Sequence, residues 1–326
     1  MQKTLGALAL SLLLAGCAHQ TLPPPPPRIE PTAPQLDAAR RAGLDNAELA
    51  SLLNKPLYQM QPRELGRYLA WQQLEQPALR QRIAALARKN IGQPYELFLL
   101  GEFPYETYDS QPLFNLAKSD CVVFAEHVYA MALSASWEEF FWMLQRIRYR
   151  DGVIGTATRN HYTEADWNVA NSWLVQDVTR SLGAPTQGYH QRIDRKAFLQ
   201  KQFKITREIP VQPFDDVYIA KQDVAAIEAQ LQDGDFVNVI SSRGSDSWAS
   251  HVGLIVTGAD GSRRLLHSAE PQVREETLQG FIARMAERDV RQAGQNKAQL
   301  AGFKFLRLNE APEVPPMAPQ PRPKRT

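Results

Sequence analysis

The sequence is poor in cysteine and contains no motif of a zinc hydrolase. Cys17 and Cys121 are its only cysteines. No HExxH segment is present and no other tight cluster of metal ligands stands out. This disfavours a metal amidase built on the histidines, among them His127, His161, His251 and His267. We therefore expect chemistry that needs neither a metal nor a cofactor.

The chain also lacks an internal repeat and a marked excess of charge of one sign. Its formal net charge is +2, and 44% of its 326 residues are hydrophobic and 22% charged. These proportions are ordinary for a globular protein with a sizeable core. So small a net charge argues neither for nor against nucleic acid. We predict a monomer without a nucleic-acid partner.

The apolar run near the N-terminus is too short to cross a membrane. Residues 1–16 carry an early lysine and then 5-LGALALSLLL-14, typical of a secretory signal peptide, whereas a spanning helix needs about 20 apolar residues. The run closes with 14-LAGC-17, which resembles the bacterial lipobox and implies a lipid on Cys17. An ordinary signal peptide with a chance cysteine is the alternative. Ala18 resembles the residue that follows the cysteine in lipoproteins sorted to the outer membrane, so we expect a periplasmic protein anchored to its inner face.

Proline is concentrated at both ends of the chain. The segment 23-PPPPPRIEPTAP-34 predicts that residues 17–35, behind the lipidated cysteine, form an extended linker. Residues 309–326 have the composition of a disordered basic tail. The basic cluster at 323–325 is either solvated or in contact with anionic glycan or lipid.

Between these ends the pattern changes from helices to strands. Helix-start prolines and helical spacing predict a helical preface over 36–90 that packs on the core, with helices at 45–54, 61–76 and 77–92. Residues 91–308 form the predicted catalytic domain, which includes a helix at 138–152. Short β-branched runs predict strands at 216–220, 235–241, 251–258, 263–269 and 303–309. This order is typical of an α+β fold with an antiparallel sheet.

Cys121 stands at the start of an apolar helix, 119-SDCVVFAEHVYAMAL-133. Once Cys17 is lipidated, Cys121 has no disulfide partner, so it is either buried and inert or reactive. Ser119 and Asp120 are good N-cap residues, which places Cys121 in the first turn. Backbone N–H groups and the helix dipole stabilise a thiolate there. We therefore expect a lowered thiol pKa and a nucleophile.

A nucleophilic cysteine needs a base, and two histidines on consecutive predicted strands are candidates. His251 opens the strand that ends before the turn 258-GADG-261, and His267 lies on the returning strand. Pairing of these strands would let His267 orient His251 and stabilise its cation, as the third member of a catalytic triad does. The alternative for each histidine is a satisfied core residue.

These motifs together resemble a known superfamily. The segments 91-IGQPY-95, 120-DC-121, 234-GDFVNVIS-241, 250-SHVGLIV-256 and 266-LHSA-269 are similar to the NlpC/P60 cysteine hydrolases of cell walls. More narrowly, 120-DCVVFAE-126, 148-RYRDG-152 and 159-RNHYTEADW-167 resemble the N-acetylmuramoyl-L-alanine amidase-like branch, formerly DUF1460. The resemblance runs from about residue 80 to 308 and implies a papain-like core, with the catalytic helix packed on the sheet.

The resemblance also implies roles for individual residues. Cys121 is the nucleophile, His251 the base and His267 the orienting residue, while Tyr95 helps the Cys121 N–H to hold the oxyanion. Substrate-contact residues would be Asp120, Arg159, Asn160, His161, Tyr162 and Ser250. Two alternatives remain. Asp120 is only a helix cap, and 159-RNHY-162 is a structural turn. Val123, Ala125 and the segment 163–165 depart from the branch pattern, which leaves fine substrate preference open.

The resemblance therefore implies a peptidoglycan or muropeptide amidase that cuts between N-acetylmuramic acid and L-alanine. Two alternatives remain. A related hydrolase would cut between D-glutamate and the diamino acid, and a non-catalytic lipoprotein would only bind the wall. The second alternative predicts a damaged triad, whereas Cys121, His251 and His267 are all present.

Overall fold

A computed structural model describes residues 28–324 of the chain. The predicted signal peptide, the lipidation site Cys17 and most of the proline-rich linker lie outside these residues. Helices of the described part are α1 (Ala33–Arg41), α2 (Asn46–Asn54), α3 (Pro62–Glu75), α4 (Leu79–Lys89), α5 (Cys121–Ala132), α6 (Trp137–Arg148), α7 (Asn168–Ala170), α8 (Arg195–Phe203) and α9 (Leu278–Arg291). Its strands are β1 (Val175–Asp177), β2 (Thr186–Ile193), β3 (Gln212–Ala220), β4 (Phe236–Arg243), β5 (Asp246–Thr257), β6 (Arg263–Ala269), β7 (Gln272–Thr277) and β8 (Gln299–Leu308).

The N-terminal helices α1 to α4 form a unit that packs against helix α5. Helix α3 begins at Pro62, and the Glu64 carboxylate accepts the N–H of Gln61 at 2.7 Å, which closes a capping box. Ile83 of α4 is fully buried in a cluster that the helices share with α5. The expected helical pattern extended to Ile91, but α4 ends at Lys89 and Ile91 is 43% exposed.

The strands form one antiparallel sheet in the order β2-β3-β8-β4-β5-β6-β7, and β1 pairs with β8. Val252 and Leu254 of β5 share a buried cluster with α5, while Ile255 shares another with Phe281 of α9. Alternate residues of a strand point to opposite faces, so the sheet lies between these two helices. The predicted mixed fold with an N-terminal helical part is confirmed.

The C-terminal segment 309–324 forms no helix or strand, yet it lies against the domain. The guanidinium of Arg146 donates to the carbonyl of Pro315 at 3.2 Å, and the N–H of Ala318 donates to the carbonyl of Asp151 at 3.0 Å. The sequence predicted a disordered tail here. A proline-rich segment in an extended form makes no hydrogen bonds within itself, so its backbone groups are free to bond elsewhere. Here α6 and the turn after it supply the partners.

No helix among residues 28–324 is both long enough and apolar enough to cross a bilayer.

Candidate active site

Cys121 lies at the first residue of α5, at a helix start that is fixed from two sides. The Asp120 carboxylate accepts the N–H of Val123 at 2.8 Å and caps the helix. Before it, Ser119 donates to the side-chain oxygen of Gln93 at 2.7 Å. The hydroxyl of Ser268, beside His267 on β6, donates to the Ser119 carbonyl at 2.8 Å. The start of α5 is thus bound both to the 91–95 segment and to the strand that carries His267.

Cys121 is a free cysteine and, as a whole residue, is partly exposed. Burial and the adjacent Asp120 carboxylate raise its pKa to about 12, although the N–H groups of Val252, Val122 and Cys121 itself act in the opposite direction. The expected lowered pKa was therefore wrong. The sequence shows the helix start but not the desolvation of the sulfur, and here desolvation is the larger effect.

The two strand histidines lie next to each other. Nε2 of His251 is 2.7 Å from Nδ1 of His267, with ring centroids 4.9 Å apart and planes at 81°. Gly253 makes this possible, because a Cβ atom there would lie 3.1 Å from the Cβ of His267 and 2.7 Å from Leu265. Phe281 of α9 packs beneath both rings, with centroids 6.5 and 5.6 Å away. Packing and a nitrogen–nitrogen hydrogen bond therefore fix the orientation of both imidazoles.

Glu276 on β7 completes this relay and was not anticipated from the sequence. Its Oε1 lies 2.9 Å from Nε2 of His267, and Arg274 and Arg284 contact the same oxygen at 3.3 and 2.7 Å. His267 and Arg284 hold the Glu276 pKa far below its usual value against the opposing effect of burial, so the carboxylate is charged at neutral pH. Its strand, β7, was not among the strands predicted from the sequence.

The charged carboxylate determines the tautomers of both rings. Glu276 can only accept, so Nε2 of His267 donates to it and Nδ1 of neutral His267 carries a lone pair. Nε2 of His251 must then donate to that lone pair, which leaves Nδ1 of His251 as its basic nitrogen. Burial, together with His267 and nearby arginines, lowers the His251 pKa well below the usual value, so this ring is neutral at rest.

A β-bulge lies directly before His251. Val239 of β4 pairs with His251 and Ile240 pairs with Ala249, so Ser250 is the extra residue. Its hydroxyl is 2.6 Å from that of Ser241. Bulges bend a strand and turn the side chains beside them, which accounts for the placement of His251 at this point. Ser250 is exposed and thus accessible to a ligand.

Cys121 and His251 are neighbours without a direct hydrogen bond. The sulfur lies close to the N–H of Val252, the residue after His251. The hydrogen bonds found among residues 28–324 do not include one between the thiol and the His251 ring. In free enzymes such contacts are often long and tighten when substrate binds.

Tyr95, for which the resemblance implied a role in holding the oxyanion, lies near Cys121. It forms a parallel bridge with Ser119, and its N–H donates to the Pro271 carbonyl at 3.0 Å. Burial, and then the nearby acidic groups of Cys121, Asp120 and Glu270, raise the phenol pKa to about 12. The hydroxyl therefore remains a hydrogen-bond donor at neutral pH.

The segment 159-RNHY-162 does not join the thiol and the histidines. Asn160 donates to the carbonyl of Ile147 at 3.1 Å, and Nε2 of His161 is 2.7 Å from the Thr156 carbonyl. Burial lowers the His161 pKa to about 3. Both contacts are those of a structural turn, the alternative that the sequence left open.

Arg159 is likewise engaged inside the protein, and Tyr162 lies against Arg195. The Arg159 guanidinium contacts the carboxylates of Glu102 at 2.7 Å and Asp109 at 2.9 Å. The charge of Arg195 lies 5.6 Å from the Tyr162 ring centroid. Arg159, Asn160 and His161 nevertheless line a cavity of about 730 Å³. Cys121, His251 and His267 are not among its lining residues.

His127 and His161 make hydrogen bonds to backbone carbonyls and none to the pair His251 and His267 among the described residues. Nδ1 of His127 is 2.7 Å from the carbonyl of Val123 in its own helix. Across residues 28–324, no group of three or more His, Cys, Asp or Glu side chains is arranged to hold a metal ion.

Comparisons with known proteins bear on the fold and the family of the chain. A DUF1460 protein of Legionella pneumophila is 18% identical with a TM-score of 0.64, and the match covers 77% of this chain and 94% of that one. An N-acetylmuramoyl-L-alanine amidase of Bacteroides uniformis is 22% identical with a TM-score of 0.54, covering 71% and 98%. Identities this low show a shared fold. No curated protein has significant similarity to the chain. A model of the N-acetylmuramoyl-L-alanine amidase-like (AmiA-like) family matches residues 85–286, more than half of the chain, and the chain therefore belongs to this family.

Proposed function

We propose that the protein is a peptidoglycan-directed cysteine amidase that hydrolyses the bond between N-acetylmuramic acid and L-alanine. Family membership supports the amidase class. The observation that carries the cysteine mechanism is the relay His251–His267–Glu276 ending beside Cys121. The proposal includes a place in the NlpC/P60 superfamily, supported by the chain order Cys121, His251, His267 and by α5 packed on an antiparallel sheet.

The reaction begins from a neutral thiol and a neutral imidazole. Nδ1 of His251 takes the thiol proton as the sulfur of Cys121 attacks the amide carbon. The oxyanion accepts hydrogen bonds from the Cys121 N–H and the Tyr95 hydroxyl, each worth about 3 kcal/mol in such sites. His267 and Glu276 stabilise the His251 cation while it forms.

The second half returns the enzyme to its starting state. His251 gives its proton to the nitrogen of L-alanine, the C–N bond breaks, and the peptide leaves as an amine. The sugar remains as a thioester on Cys121. His251 then deprotonates a water molecule that attacks the thioester carbon, and the carboxylic acid leaves as the thiol is restored.

Defined muropeptides test the proposed bond. The full chain is expected to release a free peptide that begins with L-alanine and to leave the sugar intact, as measured by mass spectrometry. Release of a peptide that begins with the diamino acid would instead establish the D-glutamyl endopeptidase. Binding without cleavage would establish the non-catalytic wall-binding alternative. Cys121→Ala is the control, because it removes the nucleophile and leaves α5 capped by Asp120.

The proposal extends to a lipid anchor at Cys17 and a location at the inner face of the outer membrane. The similarity of 14-LAGC-17 to the lipobox supports it. Cells that express the chain should incorporate labelled palmitate into it and retain it in the outer-membrane fraction. Cys17→Ser should lose both properties. A labelled Cys17→Ser chain would contradict this part of the proposal.

A further inference from the structure

The cavity of about 730 Å³ beside 159-RNHY-162 is a separate feature with its own charge pattern. Guanidinium groups of Arg150, Arg159, Arg195 and Arg207 line it, and two carboxylates, Asp166 and Glu208, lie among them. Ala157, Val169, Leu199 and Ile209 supply an apolar part of the wall. Such a mixture of apolar wall and converging polar groups is typical of a ligand site.

Most of these charges already have partners. Arg195 contacts the Asp166 carboxylate at 2.5 Å, and Lys196 contacts Glu208 at 2.8 Å. Arg159 is held between Glu102 and Asp109, as described above. Both acidic groups of the cavity are thus paired with neighbouring cations.

Arg150 and Arg207 are the exceptions. Both side chains are exposed, and within residues 28–324 neither has a carboxylate at ion-pair distance. The cavity therefore has an uncompensated charge of two guanidinium groups. Arginine presents planar N–H donors that match a carboxylate in a bidentate manner, and it cannot lose its proton near neutral pH.

The cavity wall is bonded to the elements that carry the catalytic residues. The Leu100 carbonyl accepts from Arg148 at 3.3 Å and from Arg159 at 3.4 Å. Arg148 also contacts Glu126 of the catalytic helix α5 at 3.1 Å. On the other side, the Glu164 carboxylate accepts the N–H of Ala249, two residues before His251 on β5. These contacts connect Arg159, which lines the cavity, to α5, and Glu164, the neighbour of the lining residue Ala165, to β5.

We propose that this cavity binds carboxylate groups of the peptide part of peptidoglycan through Arg150 and Arg207. The inference rests on the proposed function for the identity of the ligand. The peptide released by that reaction bears free carboxylates, whereas the sugar of an internal repeat bears none apart from the lactyl group. The two arginines then determine specificity and take no part in bond cleavage.

Binding of the free peptide to Cys121→Ala tests this separately from catalysis. The probe is L-Ala-γ-D-Glu-meso-diaminopimelate, measured by calorimetry against the same peptide with its carboxyl groups converted to carboxamides. We expect the acid form to bind and the carboxamide to bind at least tenfold more weakly, because charge-assisted hydrogen bonds are roughly twice as strong as neutral ones. Equal affinities, or no binding of the acid, would overturn the inference.

Variants of the two arginines assign the effect to this cavity. In the Cys121→Ala chain, Arg150→Gln and Arg207→Gln should each weaken binding of the acid peptide about tenfold, while the exposed Arg180→Gln should not. In the active chain the same changes should raise KM and leave kcat nearly unchanged. Wild-type affinity in both cavity variants would place the peptide elsewhere. Cleavage of muropeptides by the active chain would still decide the proposed function independently.

Discussion

The rings of His251 and His267 are joined nitrogen to nitrogen at 2.7 Å, across the consecutive paired strands β5 and β6. This contact has a direction, because the charged Glu276 behind His267 can only accept a proton. It leaves Nδ1 of His251 unprotonated and available as a base. A histidine pair without the carboxylate would have no such preference between tautomers.

Glu276 should accordingly be required for turnover but not for folding. Glu276→Gln keeps the size of the side chain, yet its amide can donate to His267 and reverse both tautomers. We expect kcat to fall by about a hundredfold or more, as when the orienting acid of a catalytic triad is replaced by its amide. Steady-state kinetics on muropeptides measure this.

A matched control separates this from a general effect of lost charge. Glu287 lies on the exposed surface of α9, where it pairs with Arg291 at 3.8 Å. Glu287→Gln should keep wild-type kcat and the same pH profile. Wild-type kcat in Glu276→Gln would show that the relay ends at His267.

The absence of a side chain at Gly253 should be needed for the rings of His251 and His267 to lie within hydrogen-bond distance. A Cβ at this position meets the Cβ of His267 at 3.1 Å and Leu265 at 2.7 Å, so Gly253→Ala forces the strands apart. We expect at least a tenfold loss of kcat with a loss of stability of about 1–3 kcal/mol, typical of overpacking. A Cβ added at Gly188 of β2 would meet no atom within 4 Å, so Gly188→Ala is the control that should lose neither.

Alkylation of Cys121 should report its raised pKa. The pKa of about 12 means that the thiolate fraction rises about tenfold with each pH unit up to that value. The rate of inactivation by iodoacetamide should therefore increase steadily between pH 6 and pH 9, and a chelator should leave activity intact. A rate that levels off near pH 7 would instead show a thiolate–imidazolium pair at rest. Loss of activity to the chelator alone would contradict the thiol mechanism.

Buried neutral histidine should make the fold sensitive to acid. Burial lowers the pKa of His127 from 6.5 to about 4, so the unfolded chain binds its proton more readily than the folded one. Stability is then complete above pH 6.5 and declines as the pH falls towards 4, by on the order of 3 kcal/mol for this residue. Chemical denaturation at pH 7 and pH 4 should show a smaller difference for His127→Asn than for wild type. Equal differences in stability for His127→Asn and wild type would contradict the lowered pKa of His127.

Local patterns in the sequence were sufficient to predict the main elements. The capped start of α5 and the strand pair of His251 and His267 follow from N-cap residues and hydrophobic alternation. Strands β1, β2 and β7 and helices α8 and α9 were missed. In 272-QVREET-277, charged side chains conceal a strand whose Glu276 and Arg274 face the site instead of water.

Other properties of the site depend on distant parts of the chain and have no local signal. The direction of the Cys121 pKa shift is determined by how much water the fold removes from the sulfur. The cavity arginines are separated by more than 50 residues, Arg150 following α6 and Arg207 following α8. The ion pairs of Arg159 likewise depend on Glu102 and Asp109, which no spacing rule connects to it.

The most direct test is the mass of the chain during its first turnover. Acid quenching within milliseconds of mixing with a defined muropeptide should trap a thioester, located by peptide mapping at Cys121. The account predicts an adduct that contains the sugar and its lactyl group but no amino acid, and none in Cys121→Ala. An adduct that also contains L-alanine and D-glutamate would move the cut to the D-glutamyl bond. Cleavage by Cys121→Ala at the wild-type rate would contradict the central claim that this sulfur is the nucleophile.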